Sequence, residues 1–186
     1  MNEYIKIIIY GIIGAGLKYV DEIYDTRSFK PRNVYFISLG IGLLMGTIMA
    51  LDINSFIILT SVIISVGVTG KIDNEAFKLI AAVALTVPLI FLFFNLDTYI
   101  FLLPLLVLTL AGVCDEYLDE IGDKKNSTLL TLRPFMKVAV IVLWFVGIFE
   151  IVYVFSFFSF DIFYSLVGWY SNKIVKLGGK DEKDKL

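Results

Sequence analysis

The chain has 186 residues, 58% of them hydrophobic and 18% charged, with a mean hydropathy of +0.84; a soluble domain is nearer half apolar and a quarter charged. That balance excludes a disulfide scaffold, a disordered tail and an ordinary cytosolic enzyme. One cysteine, Cys114, and no histidine exclude the usual Cys/His zinc sites and the Ser-His-Asp triad.

A bilayer core needs about 20 apolar residues per helix, and the chain offers seven such runs. They are Tyr4–Val20, Val34–Leu51, Phe56–Thr69, Phe77–Phe94, Thr98–Cys114, Phe135 to about Phe158, and a weaker one from Ile162 to about Val175. The third and seventh are short. Polar turns separate the runs at Asp52 and Asn54, at 70–75 and at 95–97. Pro31 and Pro134 stand just before apolar runs, where a first-turn proline is tolerated, whereas Pro88 and Pro104 fall inside runs and predict kinks. No small-residue cleavage site follows the first run, so it is expected to be a span and not a signal peptide. The pattern predicts an all-α polytopic transmembrane helix bundle of about seven spans. Residues 1–177 form its single domain, and residues 178–186 form a short polar C-terminal tail.

Fifteen of the sixteen Lys/Arg residues fall on one side of this map, with Lys6 alone on the other. The positive-inside rule then sets the N-terminus outside and the C-terminus in the cytoplasm, in a plasma-membrane protein. Glycines 11, 14 and 16, and 40, 42 and 46, would let helices approach closely. Glu150 is the one carboxylate deep in an apolar run. Such a position draws functional suspicion, but it lies near the end of the sixth span and is left out of the site.

The informative feature is an internal repeat. Residues 19–25, Tyr-Val-Asp-Glu-Ile-Tyr-Asp, recur as residues 117–123, Tyr-Leu-Asp-Glu-Ile-Gly-Asp, identical at five of seven positions and offset by 98. An even number of spans separates the copies, so both face the cytoplasm and the repeat is parallel. Asp21 and Asp25 are four residues apart, as are Asp115, Asp119 and Asp123, so a helix sets each group on one stripe. Carboxylates crowded this way repel unless a cation sits among them. Magnesium suits them, because it takes oxygen ligands and typically uses one or two carboxylates plus substrate phosphate. Arg27, Lys30 and Arg32 follow the first copy, and Lys124, Lys125 and Arg133 the second, supplying cations for the oxygens of a diphosphate. Basic residues at span ends ordinarily do no more than set topology, but two near-identical acidic copies on one face favour a site.

These segments resemble the UbiA superfamily of intramembrane prenyltransferases, which carries two aspartate-rich motifs at the cytoplasmic side, four spans apart. The second motif is the better match, running from Asp115 through Asp119 to Asp123, Lys124 and Lys125. The first matches through Asp21 and Asp25 only, with Leu17 and Lys18 where the family has an Asn-Asp pair. The family usually has nine spans, so seven imply a smaller cavity or one completed by a second copy in a homo-oligomer. The resemblance implies Mg²⁺-dependent transfer of an isoprenyl group from an isoprenyl diphosphate to a lipid-soluble or interfacial acceptor. Asp21, Asp25, Asp115, Asp119 and Asp123 would act as metal ligands and catalytic residues, and no nucleic-acid partner is expected. Two alternatives stay open. Residues 120–124, Glu-Ile-Gly-Asp-Lys, resemble a small cation-exchanger signature, although both acidic segments run into basic sequence at one face. A non-catalytic membrane assembly subunit also fits so short a chain.

Overall fold

In a computed structural model the described residues are 2–25, 33–94, 102–125 and 133–183; side chains of residues 91–94, 120, 123–125 and 176–183 are not among them. The fold is all-α, with seven helices and no strand among the described residues. The helices are α1 (Glu3–Asp25), α2 (Val34–Leu51), α3 (Ile53–Val68), α4 (Glu75–Phe94), α5 (Leu102–Lys125), α6 (Pro134–Phe145) and α7 (Ile151–Lys183). Two stretches, Val34–Leu51 and Ile151–Val175, are long and apolar enough to cross a membrane; Ile53–Val68 and Pro134–Phe145 are apolar but shorter.

Local chemistry sets the helix ends. Asp52 caps α3 by accepting from the Ser55 amide at 3.3 Å and from its hydroxyl at 2.6 Å, satisfying an amide that the first turn leaves without a carbonyl partner. Asn74 Oδ1 accepts from the Phe77 amide at 2.8 Å at the start of α4. Gly147, at φ 78°, ends α6 in the left-handed region that glycine enters without steric cost. The expected sixth span is therefore two elements: α6 stops at Phe145 and α7 begins at Ile151. Glu150 lies in the exposed turn between them, which corrects its reading as a carboxylate deep in a span. Pro104 also moves, because α5 starts at Leu102 and sets this proline in the first turn, where it displaces no carbonyl partner. Pro88 lies within α4. At the other end of the chain α7 runs on to Lys183, well into the polar tail.

Packing is organised by parallel pairs. On α1, Tyr10, Ile13, Gly14, Leu17 and Val20 form one buried stripe, the 3.6-residue period of a helix with one face inward. That stripe meets α7 along its length, with Lys6 against Tyr153, Gly14 against the Phe160 backbone, and Glu22 against Ser171. On the other side α3 pairs with α5: Gly112 meets the Ser65 side chain, and Lys71, just beyond α3, reaches Glu116. The repeat offset of 98 carries Gly14 onto Gly112. A Cβ at either would collide with the partner helix, so both repeats use glycine for the same close approach. The helix that opens each repeat thus packs against the third helix of the other. A further echo is at Asn33 and Arg133, which precede α2 and α6 with φ of 65° and 49°.

Candidate functional site

At the C-terminal ends of α1, α3 and α5 lies a cavity of about 350 Å³. Asp21 and Asp25 of α1, Lys71 and Asp73 of the α3–α4 connection, Glu116 and Asp119 of α5, and Arg133 before α6 all line it. Both copies of the acidic repeat therefore face one space. Leu17, Val62, Val66, Phe77 and Phe160 give it an apolar side, and Lys18 and Tyr164 complete the wall.

The charges are interleaved. Lys18 Nζ lies 2.8 Å from both Asp21 and Glu22. Lys71 Nζ is 2.6 Å from Glu116 and 3.3 Å from Asp119. Arg133 Nη2 is 3.3 Å from Glu116, 3.7 Å from Asp119 and 3.3 Å from the Tyr164 hydroxyl. Its guanidinium lies 4.6 Å from the centre of the Tyr164 ring, with the Lys18 ammonium 5.4 Å from that same ring. Tyr164 thereby joins the cations of the two repeats. Among the described residues Asp25 and Asp73 have no cation at ion-pair distance. Partial burial and then the neighbouring Asp21 charge raise the Asp25 pKa above the ordinary carboxylate range. Burial alone would lower the Lys71 pKa, but the Glu116 hydrogen bond and charge, with Asp119 behind them, reverse this and raise it. Lys71 stays charged.

Of the expected metal ligands, Asp21, Asp25 and Asp119 reach the cavity. Asp115 does not line it. Its carboxylate accepts from the backbone amides of Phe135 at 2.8 Å and Met136 at 2.7 Å, capping α6. Burial raises its pKa, and the two amide bonds oppose that shift. Asp123, Lys124 and Lys125 belong to the last turn of α5, but their side chains lie outside the described residues, as do Arg27, Lys30 and Arg32 altogether. Of the six expected phosphate-binding cations, Arg133 is thus the one seen in the wall. Lys18, Lys71, Glu116 and Tyr164 were missed from the sequence. The repeat itself held a signal for two of them, since the offset of 98 aligns Lys18 with Glu116, an inverted charge at equivalent positions.

No group of three acidic or thiol side chains among the described residues stands close enough to hold a metal by itself. Magnesium needs no such group: one or two carboxylates suffice when water and phosphate oxygens complete its shell. Asp25, whose negative charge is only partly compensated, fits that role.

No family model matches the chain, and neither a curated protein nor a solved structure is significantly similar to it.

Proposed function

We propose that the protein is a polytopic membrane enzyme that transfers an isoprenyl group from an isoprenyl diphosphate to an acceptor, with Mg²⁺, at the cytoplasmic side. The observation that carries this reading is the meeting of both acidic repeats in one cavity with Lys18, Lys71 and Arg133. The apolar exterior supports the membrane setting: Phe36, Phe145, Leu102 and Leu103 are among many large side chains exposed on helix surfaces, which is costly in water and favourable in lipid. The seven helices alternate in direction, so the basic residues of the cavity share one end with the acidic repeats, and Lys6 lies at the other.

In the proposed reaction the bond between the allylic carbon and a diphosphate oxygen breaks, the electron pair leaves with the diphosphate, the acceptor nucleophile bonds to the carbon, and the proton the acceptor gives up passes to the released diphosphate. Magnesium held by Asp25 with Asp21 or Asp119 would neutralise part of the diphosphate charge. Lys71, the most exposed of the three cavity cations with about a third of its side chain accessible, is free to turn from Glu116 to a phosphate oxygen. Among the described residues Arg133 makes its contacts through Nη2, and its guanidinium has the fork geometry that suits a phosphate oxygen pair. Preorganised cations at the point where negative charge develops are the main source of such catalysis. Placement of both acidic segments at one end weighs against the exchanger, which needs its acids reached alternately from either side.

The test is ligand linkage. Mg²⁺ with inorganic diphosphate should raise the melting temperature of the detergent-solubilised chain, because a ligand that binds only the folded state stabilises it. The Asp25→Asn, Asp119→Asn double variant should lose that shift. An equal shift in the double variant would sink the proposal.

A further inference from the structure

We infer that the Tyr164 hydroxyl donates a hydrogen bond to an oxygen of the diphosphate held in this cavity. The inference rests on the diphosphate reading above and adds to that site a substrate-binding residue that carries no charge.

Tyr164 belongs to a row of aromatic rings on one face of α7. The Phe157 and Phe160 rings stack with centroids 6.0 Å apart, and the Phe160 and Tyr164 rings follow at 6.2 Å. Residues three and four apart share a helix face, so the row is a packing device, and phenylalanine serves it at two of its three places. Packing accounts for the ring at 164 and leaves the hydroxyl unexplained. That hydroxyl accepts from Arg133 Nη2 at 3.3 Å. A phenol also has a proton to donate, and among the described residues no side chain accepts it. Tyr164 lines the cavity, so this donor is placed where the diphosphate would lie.

The surroundings make it a strong donor for an anion. The Arg133 guanidinium and the Lys18 ammonium lie 4.6 and 5.4 Å from the ring centre, and both draw electron density from the phenol. A hydroxyl that accepts from a cation donates more strongly in turn, because linked hydrogen bonds polarise one another. With 3.3 Å between the phenol oxygen and Nη2, an anionic oxygen at bonding distance from the guanidinium also comes within reach of the phenol hydrogen, and such charge-assisted bonds are the strong ones. Lys71 has to leave Glu116 to meet a phosphate oxygen, whereas Tyr164 breaks no contact. A donor already in place where negative charge develops needs no reorganisation.

The experiment measures the concentration of inorganic diphosphate, with Mg²⁺, that gives half of the full thermal shift of the whole chain in detergent. Tyr164→Phe keeps the ring and its stack on Phe160, and should raise that concentration by about tenfold or more, the scale of one hydrogen bond to a charged group. That variant also takes an acceptor from Arg133, so fluorotyrosine in place of Tyr164 separates the two roles. Fluorine makes the hydroxyl a stronger donor and a weaker acceptor, and at mildly acidic pH the phenol keeps its proton. The fluorinated chain should respond at a concentration several-fold below that of the wild type. A higher concentration would show that the hydroxyl serves Arg133 alone and would overturn the inference, as would an unchanged response in either variant. The fluorinated chain differs by one atom, so it decides the matter even where Tyr164→Phe does not fold. No wild-type response to diphosphate would overturn the diphosphate reading and this inference together.

Discussion

At the N-terminal end of α1, Lys6 donates to the Tyr153 hydroxyl at 2.8 Å, that hydroxyl donates to Asp52 at 2.8 Å, and Lys6 lies 3.3 Å from the same carboxylate. One cation, one anion and one phenol satisfy each other and tie α1, α7 and the α2–α3 turn together. Toward the other end of α1, roughly 20 Å away along the helix axis, five carboxylates and three cations line a cavity, and two of the carboxylates have no described cation. The comparison separates two uses of charge in an apolar protein. A closed set of partners fastens helices; an open set around empty volume is equipped to receive a ligand.

Breaking the closed set should give the larger loss of stability. Lys6→Met leaves Asp52 without its cation in a mostly buried place, and removing one partner of such a pair costs about 3 kcal/mol or more. Chemical denaturation should show that loss, while the Mg²⁺ and diphosphate shift stays at its wild-type size; a lost shift would mean the two ends are coupled. Next comes Asp115→Ala, which strips two amides of their acceptor at the start of α6. It should cost about 1–2 kcal/mol and weaken ligand binding through displacement of Arg133. Tyr153→Phe should cost about 1 kcal/mol, the net worth of a hydrogen bond; a null effect would show that Lys6 and Asp52 suffice alone.

The smallest effect on stability belongs to Asp25→Asn. The folded pKa of Asp25 is raised, so the folded state holds this proton more tightly than the unfolded chain does. Its contribution is therefore present at low pH and lost as pH rises from the unfolded carboxylate pKa through the raised one. Asp25→Asn should remove that downward slope and at neutral pH leave stability unchanged or slightly higher, while abolishing the ligand shift. A variant that loses stability instead would make Asp25 part of a closed set, and the contrast between the ends would fail.

Much of the helical fold was legible from apolar runs and turn residues because both are local. The split between α6 and α7 was not, since the run from Phe135 to Phe158 is apolar across Gly147 and only the left-handed turn there reverses the chain. The expected gap after Phe158 failed in the opposite sense. The runs expected to end near Phe158 and to restart at Ile162 are one helix there, and Asp161 between them lies inside α7, paired with Lys137 at 2.7 Å. In the site, Asp21, Asp25 and Asp119 were found through a repeat visible in the sequence. Lys71 and Tyr164 were not, because what draws each to the cavity is a helix far away in sequence, α5 for one and α1 and the start of α6 for the other. Asp115 shared the spacing of its neighbours but met two free amides first, and spacing alone does not report such competition.

The exchange of third helices between repeats also governs how the chain is made. The buried stripe of α1 has its longest match on α7, with five helices between them in the chain, so α1 waits for all of these to be made before its inward face is covered. Assembly dominated by contacts so distant in sequence carries a large loop-closure cost and proceeds slowly. During that interval the Lys18, Asp21 and Glu22 side chains have each other but not Tyr164 or Ser171. A chain cut after α6 retains every acidic residue of the repeat and still leaves α1 without its mate, so truncation there should yield a protein that does not consolidate, visible as rapid proteolysis of α1 beside an intact α3–α5 pair.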